Sequence, residues 1–351
     1  MSTGPFLRCP ARLPAFALIC LLPVIEAAAA ETRDANRPAE QPQALSLSLD
    51  TFVRSVLINH PELEVSEPSA QRPAAEGSRT SRLGPLPEIV VWSAPTAGGD
   101  VTKLRERVNS VLYQAIEAYW EQVRRLEEVK LRERALTEAQ ATARNAQGQS
   151  DEQAGDVPVR TAETALAEAR IALHRTQLDA DAGADRLKLL MNDEALPVET
   201  ETKLVLTEDA SEPPRSDDLD LDGGIHTALR NRLAGREDRR DRAARRRYEA
   251  IVFELKAALR QAADARVMLL LAKDRQTASQ KALEAADRIE ETRKPTGTAH
   301  LLARLGSHEA FADAERQLAT AKVDYQIALA AWYRATGELN DNWRIGVEVR
   351  P

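Results

Sequence analysis

Five histidines and two cysteines are the side chains of this 351-residue chain best suited to metal binding or nucleophilic chemistry. They are scattered over the sequence as His60, His174, His226, His300, His308, Cys9 and Cys20. None belongs to a His-Glu-x-x-His pair, and the chain has no Gly-x-Ser-x-Gly or Gly-Lys-Ser/Thr motif. His300 and His308 lie close enough to share a helix face, but solvated surface histidines explain them better than a metal site. We therefore expect no enzyme, no bound metal and no cofactor.

The charge balance argues against nucleic acid as a partner. The chain has 48 lysines and arginines against 55 aspartates and glutamates, a net charge of -7, whereas nucleic-acid binders are basic. A dense run of seven arginines at 236–247 could bind anionic lipid head groups or nucleic acid. We favour a solvated helix, because pairs such as Asp238–Arg242 and Asp241–Arg245 would neutralise the run from one turn to the next.

Residues 1–30 have the order of a secretory signal peptide. A basic start is followed by an apolar stretch at 16–25 and by three alanines at 28–30, which form a cleavage site. An uncleaved anchor helix is the rival interpretation, and a proline and a glutamate near the end of the segment weaken it. Since Cys9 and Cys20 both lie inside this segment, the mature chain would contain no cysteine and no disulfide. The sequence therefore predicts an exported protein.

Long helices must position whatever side chains act in the rest of the chain. Aromatic residues make up 4% of the sequence, which is little for a compact core but sufficient for alanine-rich helices. Apolar residues step by threes and fours, as in a coiled coil, over four segments at 108–143, 159–190, 248–286 and 311–339. Glycine and proline interrupt the pattern between these segments. We predict two antiparallel coiled-coil hairpins with left-handed supercoiling.

The two hairpins form a tandem repeat. Residues 56–59, which end a short predicted helix at 51–59, align with 228–231 in the second half. The aligned pairs include Asn59 with Asn231, Leu173 with Leu318, Asp179 with Asp324 and Leu187 with Trp332. A duplicated long helical hairpin is the best account of these matches.

The predicted organisation has six segments. They are a signal peptide at 1–30, a disordered leader at 31–44, a first helical-hairpin repeat at 45–192, an acidic linker at 193–222, a second helical-hairpin repeat at 223–340 and a tail at 341–351. A proline-rich insert at 66–100 interrupts the first repeat, and within it only 88–93 has the β-branched character of a strand. The predicted fold class is thus mainly α, with minimal β structure.

The two ends of the repeat resemble the TolC-like outer-membrane efflux protein family. Residues 48–63 finish in Asn-His-Pro-Glu-Leu and look like the opening helix of that family, with its Asn-x-Pro-Glu-Leu end. Residues 298–339 are similar to the final helix of the family, most clearly at 319–325 and 332–338. With the tandem order of the helices, the resemblance covers most of 45–340.

The resemblance implies transport without catalysis. A member of this family is a homotrimer whose helices form a hollow periplasmic α-barrel, the exit duct of a tripartite export system. The duct works with a periplasmic adaptor and an inner-membrane pump, and it belongs to the cell outer membrane and the periplasm. We accordingly expect an outer-membrane efflux-type channel component, built as a TolC-like α-barrel protomer.

The sequence departs from the family pattern in its strands. Family members share a twelve-stranded membrane β-barrel with four strands per protomer, whereas this chain offers one short candidate at 88–93. The arginine-rich run at 236–247 does not fit a lipid-facing strand. The sequence therefore indicates a shortened member whose β-barrel strands are largely missing. The alternative is a periplasmic coiled-coil scaffold or binding protein derived from the same family, without a membrane pore.

The turns at the tips of the hairpins are the candidate functional site. Gly155, Asp156 and Val157 lie at the first turn, and Thr296, Gly297 and Thr298 lie at the second. The two glycines supply the backbone freedom that a chain reversal needs, which is a structural role. By resemblance to the family, the same six residues are where the adaptor would dock.

Overall fold

The computed structural model describes residues 44–66, 89–93, 101–148, 157–208, 219–232, 242–293 and 298–349, all within the unit Pro42–Pro351. In chain order the elements are β1 (Ala44–Leu47), α1 (Leu49–Ile58), β2 (Glu64–Ser66), β3 (Ile89–Ser93), α2 (Val101–Gly148), α3 (Val157–Met191), β4 (Lys203–Leu206), α4 (Leu221–Arg232), α5 (Arg242–Arg293), α6 (Thr298–Thr336), α7 (Leu339–Asn342) and β5 (Ile345–Val349). The prediction of a mainly α fold with minimal β structure is confirmed.

Four long helices follow the predicted heptad pattern. Along α2, the side chains of Val108, Leu112, Ala115 and Tyr119 are at most 1% exposed, at spacings of four, three and four. At 1.5 Å per residue, the 48 residues of α2 extend over about 72 Å and the 52 residues of α5 over about 78 Å. Alanine is frequent on the packed faces, so the helices approach closely without large side chains.

The four helices pair into two antiparallel hairpins. Helix α3 packs on α2, where the buried amide of Gln122 donates a hydrogen bond of 2.9 Å to the carbonyl oxygen of Ala180. Helix α6 packs on α5, where Leu255 and Trp332 belong to one buried cluster and Leu269 and Tyr325 to another. The two hairpins meet because α2 also packs on α6. The helices therefore follow one another in the order α3–α2–α6–α5.

The two halves are built alike, as the tandem repeat predicts. At the end of α1, the amide of Asn59 donates to the carbonyl oxygen of Met191, the last residue of α3, at 3.0 Å. At the end of α4, the amide of Asn231 donates to the carbonyl oxygen of Thr336, the last residue of α6, at 3.3 Å. The residue that follows α3 and the residue that follows α6 both have a positive φ, +46° at Asn192 and +76° at Gly337. Both repeats thus end their second long helix against an asparagine of their short helix.

The main hydrophobic core lies where the short helix α1 meets the ends of α2 and α3. Phe52 from α1 packs against Tyr119 from α2 with ring centroids 5.8 Å apart, and both side chains are fully buried. Leu187 and Met191 from α3 complete the same cluster. This end of the first hairpin is anchored by large side chains, whereas the turn end is not.

Two small sheets accompany this core. Strand β3 pairs antiparallel with β2 and parallel with β5, with Val91 opposite Val347. Strands β1 and β4 form a separate parallel pair. The predicted strand at 88–93 is confirmed as β3, and the predicted helix at 51–59 is confirmed as α1. The sequence patterns did not indicate β1, β2, β4 or β5. The limits of the predicted segments themselves stay a prediction.

No helix in the described ranges combines the length and the apolar character that crossing a bilayer requires.

Gly224 allows α4 to contact α6 closely, and replacing it should destabilise the second repeat. A Cβ at this position would lie 2.6–2.7 Å from two ring atoms of Trp332, whose side chain is buried. We expect Gly224→Ala to lower the free energy of unfolding by about 1–3 kcal/mol, the usual cost of overpacking. Urea unfolding followed by circular dichroism measures the change.

Gly306→Ala is the matched control within α6. No atom lies within 4 Å of an added Cβ there, so the better helix propensity of alanine should raise the free energy of unfolding by about 0.5–1 kcal/mol. Equal stabilisation by the two substitutions would contradict the close packing of α4 on Trp332.

Candidate functional site

The structure describes part of the predicted docking site. Gly155, Asp156, Thr296 and Gly297 lie outside the described residues. Val157 begins α3 with a side chain that is 60% exposed, and Thr298 begins α6. The docking role of these six residues stays a prediction.

The α2–α6 contact determines how the two hairpins lie relative to each other. Arg124 of α2 pairs with Asp324 of α6 at 3.5 Å, and Arg134 pairs with Glu315 at 3.5 Å. Further along, Nδ1 of His308 lies 3.3 Å from a carboxylate oxygen of Glu138. The residue numbers on α6 therefore fall as those on α2 rise, so the two helices are antiparallel. The end of α2 therefore lies beside the beginning of α6.

Small side chains hold the first hairpin near its turn. Ala143 and Ala146 of α2 pack with Ala162 of α3, and Leu166 covers them from one side. Apart from this cluster, Gln147 and Glu163 are 3.4 Å apart. Because the free energy of burial scales with apolar area, separating the helices here costs less than separating them at the Phe52–Tyr119 core. This end is the part of the hairpin that a partner could displace most easily.

Carboxylates at the α2–α6 contact are held in partly dehydrated positions. Burial raises the pKa of the Asp324 carboxyl, Arg124 partly offsets this, and Glu121 adds to it. Burial likewise raises the pKa of the Glu315 carboxyl, which Arg134 lowers in part. The ion pairs between the hairpins therefore do not fully compensate for the lost hydration of these carboxylates.

A groove of about 740 Å³ opens between α2 and α5, with α6 along its side. We name it the acidic groove, since six carboxylates line it against three arginines. The charged residues are Glu117, Glu121, Glu128, Asp264, Asp313, Asp324, Arg124, Arg275 and Arg316. Within the described ranges, no group of three or more histidine, cysteine, aspartate or glutamate side chains is arranged to hold a metal ion. Charged side chains thus line the groove along the helices, as is usual for a surface in contact with dissolved molecules.

The two outermost helices of the layer carry exposed apolar side chains on the sides that face away from it. On α3, Ile171, Leu178 and Leu189 are 52–68% exposed. At 100° per residue they lie opposite the buried residues that pack on α2, such as Leu187. On α5, Val267 and Leu271 are 53% and 56% exposed, on the side opposite Leu255, and Leu271 also lines the acidic groove. The layer thus has an apolar stripe along each edge.

Glu208 joins three elements at the core end, and no sequence pattern points to it. Its carboxylate accepts a hydrogen bond of 3.0 Å from the backbone N–H of Leu49 at the start of α1, and another from the hydroxyl of Tyr119. Burial and the contact with Glu208 raise the pKa of the Tyr119 hydroxyl. Tyr119 belongs to the predicted seam, whereas Glu208 is one of many carboxylates in the predicted acidic linker, so its role could not be distinguished by composition.

The arginine-rich run is only partly within the described residues. Residues 233–241 lie outside them, including Asp238 and Asp241 of the predicted pairs. In the described part, Arg245 pairs with Glu249 one turn ahead at 3.0 Å, with both side chains largely exposed. This contact is of the kind that the solvated-helix interpretation predicts.

Asp324→Asn tests the cost of the dehydrated carboxylate. Because the pKa of Asp324 is raised in the folded protein, its charge disfavours folding at neutral pH, and this cost disappears as the pH falls through the carboxyl range. The variant should be more stable than the parent at pH 7, by less than about 1 kcal/mol since the side chain is half exposed. The difference should vanish towards pH 4.

Thermal unfolding between pH 4 and pH 8 measures this difference. Asp181→Asn, at an exposed carboxylate of α3, is the matched control and should give no such gain. A variant that is less stable than the parent at pH 7 would mean that the attraction to Arg124 exceeds the cost of burial.

The sequence matches no family model and no curated protein. The fold, in contrast, matches solved structures of outer-membrane proteins. The outer-membrane channel OprN gives a TM-score of 0.50 at 16% identity, over 69% of this chain and 68% of OprN. The outer membrane protein VceC from Vibrio cholerae gives 0.52 at 12% identity, over 67% of this chain and 72% of VceC. A membrane protein from Pseudomonas aeruginosa gives 0.51 at 14% identity, over 67% of this chain and 70% of that chain. At these identities the likeness concerns the fold: the chain has a TolC-like fold, and it matches the helical part of that fold.

Proposed function

We propose that this protein is an outer-membrane efflux-type channel component, the periplasmic α-helical exit duct of a tripartite export system. Transport through such a duct involves no catalysis by the chain itself. The observation that carries the proposal is the pair of apolar stripes at the two edges of the helical layer. A layer that exposes apolar side chains on both edges is suited to closing into a ring with further copies of itself.

The two stripes lie at the same level along the helices. Leu269 of α5 packs in one cluster with Tyr325 of α6, the neighbour of Asp324, which pairs with Arg124 of α2. Two residues before Arg124, Gln122 reaches Ala180 of α3. Ala180 and Leu269 are therefore at matching heights on the two outer helices. The exposed Leu178 lies two residues from Ala180. Val267 and Leu271 each lie two residues from Leu269.

Matching heights are what a ring with cyclic symmetry requires. A rotation about an axis parallel to the helices moves α3 of one copy beside α5 of the next without any shift along the axis. Leu178 of one copy would then meet Val267 and Leu271 of its neighbour. Complete burial of such a side chain contributes about 1.5–3 kcal/mol, so several contacts per edge would stabilise the ring. By resemblance, the ring is a homotrimer with a hollow interior.

The turn end of the layer supports the second part of the proposal. The end of α2 lies beside the beginning of α6, so three copies would bring the ends of six hairpins into one ring. An adaptor would dock there at Gly155, Asp156, Val157, Thr296, Gly297 and Thr298, and the inner-membrane pump would supply the driving force. The signal-peptide pattern at 1–30 accords with an exported chain at the outer membrane and in the periplasm.

Cell fractionation and the oligomeric state test this function together. The full chain, expressed with residues 1–30 in a Gram-negative host, should be recovered in the outer-membrane fraction. Light scattering of the detergent-purified protein should give the mass of a trimer. A soluble monomer confined to the periplasm would contradict the duct and favour the coiled-coil scaffold or binding protein.

Charged substitutions test the edge stripes directly. Leu178→Glu on α3 and Val267→Glu on α5 would each bury a charge in the ring contact, so each should weaken assembly at least tenfold and yield monomers. The helical content should stay unchanged, because both side chains are exposed in the single chain.

Leu302→Glu is the control, since Leu302 is 52% exposed on α6, away from the edges of the layer. It should leave the oligomeric state unchanged. Trimers that tolerate both edge substitutions would show that the chain does not assemble through α3 and α5.

A further inference from the structure

A second groove lies next to the acidic groove, between the start of α2 and the start of α5. It has a volume of about 770 Å³ and is also lined by α6 and by Arg232 of α4. Four cationic side chains line it against two carboxylates, so we name it the basic groove. These six residues are Lys103, Arg107, Arg232, Arg334, Glu106 and Glu254. The local charge of +2 stands out in a chain with a net charge of -7.

The basic groove combines this charge with apolar and aromatic surface. Ala258 of α5 and Ala335 of α6 are buried in its lining. Phe253 of α5 is 73% exposed at one wall, and Tyr113 of α2 lies at another. The guanidinium of Arg334 lies 5.0 Å from the centroid of the Tyr113 ring, in a cation–π contact. Small-molecule sites typically combine apolar surface with a few converging polar groups in this way.

Only part of the positive charge is used inside the protein. Arg232 contacts Glu254 at 2.6 Å and Glu106 at 3.7 Å, and Arg107 lies 3.7 Å from Glu62. Lys103 has no ion pair or hydrogen bond within the described part of the chain, and its side chain is exposed at the groove. The ammonium group of Lys103 is therefore available to an anion.

We propose that the basic groove binds small amphipathic anions that carry an aromatic ring. The acidic group of the ligand contacts Lys103, and the ring lies against Phe253. The proposal goes beyond the duct function and does not rest on it.

The neighbouring acidic groove provides an internal comparison. Gln261 lines both grooves, so they adjoin on one face of the layer, yet the acidic groove has a local charge of -3. Met268 is an exposed apolar side chain in the acidic groove, as Phe253 is in the basic one. An aromatic anion should therefore discriminate between two sites of similar size and similar apolar character.

Two fluorescent probes test the proposal on the full chain. 1-Anilinonaphthalene-8-sulfonate has a sulfonate and two aromatic groups, and N-phenyl-1-naphthylamine is the same molecule without the sulfonate. Fluorescence titration should show saturable binding of the sulfonate at one site per chain. The neutral probe should bind at least threefold more weakly, because it cannot contact Lys103.

Substitutions should separate the two contacts. Lys103→Gln should weaken binding of the sulfonate three- to tenfold and leave the neutral probe unaffected. Phe253→Ser should weaken binding of both probes, with unchanged helical content. Lys256→Gln and Met268→Ser are the matched controls, at an exposed lysine outside the groove and at the exposed apolar residue of the acidic groove.

Three results would overturn the proposal. They are the absence of saturable sulfonate binding, equal loss with Met268→Ser and Phe253→Ser, or an equal effect of Lys103→Gln on the two probes. The first would show that the groove is not a site, the second that the probe binds any exposed apolar side chain, and the third that the anionic group is not recognised.

Discussion

Helix α2 packs against α3 on one side and against α6 on the other, so its contact with α6 joins two hairpins that local packing alone would leave separate. The contact is antiparallel, as the pairs Arg124–Asp324 and Arg134–Glu315 show. The order of the four long helices and the equal height of the two edge stripes both follow from it. A shift of α2 along α6 by one turn would move the hairpins relative to each other by about 5.4 Å and misalign the stripes.

The chain reaches this alignment with few large apolar side chains. Phe52, Tyr119 and Leu187 concentrate the large buried side chains at the core end, and alanines hold the hairpins elsewhere. Charged pairs supply specificity at the α2–α6 contact, although the raised pKa of Asp324 shows that burial there is unfavourable for the carboxylate. Stability and register are thus provided by different parts of the molecule: the first by the core end, the second by polar contacts along the helices.

The long helices and their pairing could be predicted from sequence because heptad spacing is a local pattern that repeats many times. The match between Asn59 and Asn231 likewise reflects a structural correspondence. Each side-chain amide donates a hydrogen bond to the last residue of the second long helix of its repeat. The β3–β5 pairing could not be predicted, because Val91 and Val347 are far apart in the chain and short strands carry little pattern. The alignment of Asp179 with Asp324 gave no sign that Asp324 would face Arg124 from the other hairpin.

The candidate site was predictable only as far as the turns, because the grooves depend on contacts between helices from different repeats. The volume of the basic groove follows from the alanine-rich composition. Ala257, Ala258, Ala331 and Ala335 leave space between α5 and α6 that larger side chains would fill. A chain with 4% aromatic residues can bring its helices together closely, yet it leaves concave surface wherever three helices meet. What lines that surface then depends on the flanking positions, which are basic near Lys103 and acidic near Glu117 and Glu128. The same alanine-rich composition that permits a layer of long helices therefore also produces two adjoining grooves, and their opposite charges give one face of the layer two regions of different charge.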